Sequence, residues 1–153
     1  MIQSCREGDI KMYEDILNQR NIGFRKDMLG INDPYLDEIV DTQGQLFENA
    51  VLLKYDYIDF VDKYMKSKFR AYLDIREPVR SNMLWPEQLE WILKETTIKK
   101  HREVKFDYML ANWLGEFYGL MQYKTQIPSY ELVQILAPAK LATAALGMHD
   151  LDM

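Results

Sequence analysis

The stretch from Phe106 to Lys124 constrains the fold of this chain more than any other. At about 100° per residue, Phe106, Met109, Leu110, Trp113, Leu114, Phe117, Leu120 and Met121 fill an arc of roughly 140° on one helix. Ala111, Gly115 and Gly119 form a second ridge at four-residue spacing. The remaining polar wedge is narrow, marked by Lys105, Asn112 and Glu116. A helix apolar most of the way round belongs at the centre of a bundle. The small ridge predicts close approach of a neighbouring backbone, which offsets the roughly 1 kcal/mol that each interior glycine costs.

The rest of the chain reads as shorter helices cut by proline and glycine. Asp9 caps a helix to Arg20, and residues 23–33 show no clear period. Asp33-Pro34 opens a short helix to about Val40, ended by Gly44. Residues 45–54 read as helix or, through Val51-Leu52-Leu53, as strand. From Asp56 to about Leu73 a helix is predicted with Ile58, Val61 and Met65 inward. It kinks near Ser67, is extended by Phe69, Tyr72 and Leu73, and breaks at Pro78. Trp85-Pro86-Glu87 starts the next helix, with Leu89, Ile92 and Leu93 inward as far as Glu95. Thr96 to Lys105 is a polar, basic linker. Ser129 caps a further helix, and Pro138 precedes an alanine-rich one from Ala139 to Leu146. Gly147 is expected to close that helix, with no regular pattern after it. The fold class is all-α: an irregular orthogonal bundle of six to seven short helices around a central helix at about 106–124. Residues 1–153 form a single domain, with 56–153 as the core bundle and 1–55 as a covering part.

Apolar residues make up 48% of the 153 and charged residues 28%, a balance that excludes a disordered chain. No apolar run approaches the roughly 20 residues of a membrane span. Cys5 is the single cysteine, so no internal disulfide forms, and charges arrive before any signal-peptide core. A cytoplasmic protein with no membrane partner and no cofactor is expected. The net charge of -5 is uneven. Residues 1–62 hold 13 acidic and 6 basic side chains, whereas residues 63–107 hold 11 basic and 7 acidic. Acidic first part and basic middle can pair within the fold, or the middle can face an acidic partner.

The motifs of phosphate loops, dinucleotide turns, zinc proteases and paired C-x-x-C sites are all missing. Asp56, Asp59 and Asp62, at three-residue spacing on one helix, could bind a hard divalent cation. The simpler assignment is a solvated face with two acids at a helix N-terminus. His149, Asp150 and Asp152 offer an imidazole–carboxylate set, but at a chain end, where fraying is usual. Lys99, Lys100, Arg102 and Lys105, with His101 among them, form the densest basic run and are the candidate phosphate contacts. The competing assignment is a solvated loop neutralised by the acidic first part. Trp91 points away from Leu89, Ile92 and Leu93, and exposed aromatics anchor interfaces. Trp91, with Tyr118 and Tyr123, is the candidate partner-facing set, unless residues 1–55 cover it.

Trp113, Gly115, Tyr118, Thr125, Ser129, Glu131 and His149 form a W-x-G-x-x-Y helix, a T-x-x-x-S turn, an S-x-E helix and a final histidine. This pattern resembles the C-terminal signature of small uncharacterised bacterial proteins, chiefly from Firmicutes. The helix Phe60 to Arg70 also resembles their upstream segment, so about 95 residues are covered. The chain differs at Ala145, where those proteins carry an aromatic. The resemblance implies an antitoxin or accessory role beside ADP-ribosyltransferase-like toxins, and it brings no active site. The expected function is therefore a non-catalytic helical interaction protein whose partner is another protein, a neighbour-encoded toxin. The alternatives are a nucleic-acid-binding regulator using the basic middle, and a small metal-dependent enzyme using Asp56, Asp59, Asp62 and His149.

Overall fold

The computed structural model describes the backbone of residues 34–151 and the side chains of residues 36–145. Its helices are α1 (Pro34–Leu52), α2 (Tyr57–Met65), α3 (Lys68–Asp74), α4 (Pro78–Ser81), α5 (Trp85–Glu95), α6 (Tyr108–Thr125), α7 (Ser129–Ile135) and α8 (Pro138–Leu151). The described residues contain no strand, and the fold is all-α. The expected helix at 9–20 and the aperiodic stretch 23–33 lie outside the described residues. No described helix is long and apolar enough to cross a membrane.

The glycine ridge on α6 does what its spacing predicts, and its neighbour is α1. A Cβ at Gly115 would lie 2.7 Å from the Gln43 carbonyl oxygen and 2.9 Å from the Gly44 Cα. A Cβ at Gly44 would lie 2.8 Å from Glu116 Cγ and 3.0 Å from the Asn112 carbonyl oxygen. Two backbones meet here with no side chain between them. Gln43 Nε2 donates to the Gly115 carbonyl (2.8 Å), and Tyr64 Oη donates to Gln43 Oε1 (3.2 Å), so the buried amide is satisfied at both ends. At the rim Asn112 Nδ2 donates to Glu48 Oε1 (2.7 Å), giving the polar wedge of α6 a partner on α1.

This contact corrects the reading of residues 34–54. Gly44 is neither a stop nor a boundary with a strand. Leu36, Ile39, Val40, Gln43, Leu46, Phe47, Ala50 and Val51 are buried at helical spacing straight through it. The core then extends over α2, α3, α7 and α8. Phe47 meets Phe60 and Tyr64 edge-on at 5.7 and 5.5 Å. Tyr118, Leu132, Val133, Leu141 and Ala145 close it on the far side.

Several inward assignments change. The expected kink at Ser67 is a break between helices, where its hydroxyl accepts from Arg70 N (3.0 Å) and donates to the Tyr64 carbonyl (2.6 Å). Ile58, Tyr72, Leu93 and Met109 are exposed rather than inward, and Trp113 is half-buried, stacked on Phe117 at 5.4 Å. The helix at 106–124 begins two residues later, because Asp107 caps it through Met109 N and Leu110 N. Phe106 instead stacks on Tyr57 with centroids 4.0 Å apart. Finally, α8 runs through Gly147 to Leu151. A glycine permits a left-handed stop but does not impose one.

Candidate functional site

Trp91 stands on the solvent side of α5, 40% exposed, while Gln88, Leu89 and Ile92 form the buried side of that helix. It is joined there by residues from two other elements. The α3 helix ends in a Schellman turn: Arg76 N donates to Leu73 O and Glu77 N to Tyr72 O, with Arg76 at a φ of 58°. That turn leads straight into α4, capped by Glu77, whose carboxylate accepts from Val79 N and Arg80 N. The Arg80 amide is the main reason the Glu77 carboxyl is held below the usual carboxylate range, with Val79 N and the Arg80 guanidinium adding to it. The short helix thereby points Arg80 back between α3 and α5. Its guanidinium lies 4.0 Å from the Tyr72 ring centroid and 5.3 Å from that of Trp91, and it bonds Glu77 Oε1 at 3.1 Å.

Around this clamp lie two adjoining clefts. One, of about 220 Å³, is lined by Lys68, Phe69, Tyr72, Arg80, Trp91 and Glu95. The other, of about 370 Å³, is lined by Lys68, Ala71, Tyr72 and Ile75. Ile75 and Val79 are 74% and 64% exposed, so the face is apolar beyond the rings as well. Lys94 Nζ lies 5.9 Å from the Trp91 ring.

The aspartates proposed for metal binding are occupied by structure. Asp56 caps α2 through Asp59 N (2.8 Å) and bonds His101 Nε2 (2.8 Å). Asp59 accepts from the Lys99 amide (2.7 Å) and Lys63 Nζ (3.2 Å), and Asp62 pairs with Lys66 (2.9 Å). The linker after α5 is thus a strap laid on α2, with Asp56 N donating to Lys99 O, His101 N donating to Lys54 O, and Ile98 buried beneath it. Among the described residues no three His, Cys, Asp or Glu side chains come together as a metal-binding group. The side chains of His149 and Asp150, and the whole of Asp152, lie outside what the structure describes.

The basic run does not form an isolated cationic surface. Lys99 lines a cleft shared with Asp56, Asp59 and Asp62, Lys100 sits 4.9 Å over the Tyr55 ring, and Lys105 lies 3.9 Å from Glu103. Arg102 is exposed beside them. Among the described residues, Asp56, Asp59 and Asp62 of the acidic first part pair with His101, Lys63 and Lys66 of the basic middle.

Tyr118 is corrected from partner-facing to core. It is fully buried, and its hydroxyl donates to the Leu136 carbonyl at 2.5 Å. On α6 the tyrosine shares the buried side with Gly115 and Gly119. Tyr123 is half-buried against Leu36, Val40 and Leu120, with the Arg76 guanidinium 4.5 Å over its ring. Tyr72, Arg80 and Lys68 were missed as site residues. Tyr72 was expected to share the apolar side with Leu73, and Lys68 and Arg80 were counted only among the basic residues of 63–107.

No family model, no curated protein sequence and no solved structure matches the chain.

Proposed function

We propose that this chain is a non-catalytic helical interaction protein that meets its partner through the face around Trp91. In this proposal it is the antitoxin-like or accessory member of a bacterial toxin–antitoxin pair. One observation carries the first part: Trp91 and Tyr72 stay exposed while the Arg80 guanidinium lies over both rings and is tied to Glu77. Rigid exposed aromatics beside an arginine are the composition of interface hot spots, and their ordering entropy is already lost in the free protein. Among the described residues, Asp56, Asp59 and His101 serve as helix cap and strap clasps. The second part rests on the W-x-G-x-x-Y signature and the residues after it.

Expression of the chain together with its neighbouring genes, followed by purification on the untagged partner's behalf, tests both parts. A neighbour-encoded protein should emerge in fixed stoichiometry and be lost from Trp91→Ala. A chain that always emerges alone would remove the proposal. Nucleic-acid binding is the weaker reading, because the cations of the strap share their surface with Asp56, Asp59, Asp62 and Glu103.

A further inference from the structure

We propose that the segment seated on this face is acidic: an apolar side chain enters the groove of Ala71, Tyr72 and Ile75, and flanking carboxylates meet Lys68 and Arg80. This rests on the Trp91 face being the partner-facing one, and adds the chemistry of the partner.

The two clefts adjoin at Lys68 and Tyr72, which line both, and together make a surface with Trp91 at one end and Ile75 at the other. Its larger end is apolar apart from Lys68 and has room for a leucine- or phenylalanine-sized side chain. The charges around it are sorted by direction. Both oxygens of Glu95 are engaged at the start of α3, accepting from Lys68 N and Phe69 N at 2.9 Å each. Glu77 is engaged in the same way at the start of α4. Asp74 turns inward to Arg70 and Ser129. Glu95, Glu77 and Asp74 are therefore committed to the backbone or the interior. Glu87 is exposed one turn before Trp91, on the same stripe of α5 as Trp91 and Glu95 and at the end away from Glu95. The ammonium groups of Lys68 and Lys94 form no ion pair with any described residue and reach solvent.

Arg80 completes the selection. Its guanidinium lies over the Tyr72 and Trp91 rings at 4.0 and 5.3 Å and one N–H is spent on Glu77, while the side chain stays 25% exposed. A guanidinium has five donors, so an edge is left for a carboxylate, and the side chain loses little freedom in taking one. Apolar burial supplies attraction of either charge type; the cations decide which sequence is accepted.

The test uses the full chain and three synthetic probes: acetyl-Glu-Glu-Leu-Phe-Glu-Glu-amide and the same peptide with glutamine or with lysine in place of every glutamate. Binding is followed by the Trp91 indole N–H and the amides of residues 68–80 in nitrogen-edited NMR spectra, at peptide concentrations up to a few millimolar. The glutamate peptide should bind about fivefold or more tighter than the glutamine one, and the lysine peptide most weakly. Salt should narrow the difference. Lys68→Glu should reduce the preference, and Trp91→Ala should weaken all three. Equal binding of the glutamate and glutamine peptides at Trp91 would overturn the acidic partner while leaving the face intact. Shifts confined to other residues, or none with any peptide, would overturn it too. Loss of the neighbour-encoded partner from Trp91→Ala then decides separately whether the face itself stands.

Discussion

Gly115 and Gly119 look equivalent in the sequence, one turn apart on the same ridge, yet their surroundings differ by enough to separate their behaviour. At Gly115 an added methyl would meet backbone atoms at 2.7 and 2.9 Å, and neither helix can yield without shifting the other. At Gly119 the nearest atom is the end of Gln43 at 3.4 Å, an ordinary contact. Gly115→Ala should therefore destabilise the protein by about 1–3 kcal/mol in urea unfolding. Gly119→Ala should be neutral or stabilising by up to about 1 kcal/mol, through helix propensity alone. Arg70 supplies a second residue-scale test. It is 2% exposed, and Asp74 pairs with it at 3.0 Å while accepting from the amide and hydroxyl of Ser129. Asp74→Ala strips a buried cation of its partner and should cost about 3–5 kcal/mol by the same measurement.

Which elements could be read from the chain depended on how each one stops. Helix α6 was legible because its apolar arc and its ridge repeat over five turns, and α5 because Pro86 and Glu87 mark its start. The end of α1 was not: Lys54, at a φ of 77°, takes the left-handed position where glycine is the usual signal, as Arg76 and Gln126 do after α3 and α6. Gly44, the glycine that looked like a stop, is a notch for α6 instead. Lys54→Gly should consequently stabilise the turn, by about 0.5–1 kcal/mol. The strap at 96–107 was unreadable for another reason, since its hold on α2 depends on partners 40 and 45 positions away. Burial raises the Asp56 pKa, but the Asp59 amide, the His101 hydrogen bond and the charges of His101 and Lys99 outweigh it and hold the carboxyl below its usual range. With the folded value depressed, the contribution of this clasp is complete above the unfolded pKa, near 4, and is lost as pH falls through the folded one. Stability curves of the parent and Asp56→Asn should converge as pH drops below about 4, and the protection of the Lys99 and His101 amides, corrected for the intrinsic pH dependence of exchange, should fall over the same range.

At the scale of the molecule, α6 is buried along its ridge and along its arc at Leu110, Leu114, Phe117, Leu120 and Met121, with Met109 exposed and Trp113 half-buried, and the clefts described above or lined by Ala139, Lys140, Thr143 and Ala144 take no residue from it. Surface features then carry the functional argument. Trp91 was legible because it is out of phase with the residues that α5 buries. Its companions were not, because Tyr72, Arg80 and Lys68 come from elements whose meeting depends on a Schellman turn and a four-residue helix. Tyr118 was misread because a tyrosine ring on a mostly apolar helix can face either way until its hydroxyl finds an acceptor. The most direct test of the account is calorimetric titration of the neighbour-encoded protein into the parent, Trp91→Ala and Met109→Ala, the last altering a residue 68% exposed on α6. Trp91→Ala should weaken binding by about 2 kcal/mol, roughly 30-fold, with its melting temperature unchanged and Met109→Ala indistinguishable from the parent. Full affinity in Trp91→Ala, with the loss falling on Met109→Ala, would contradict it.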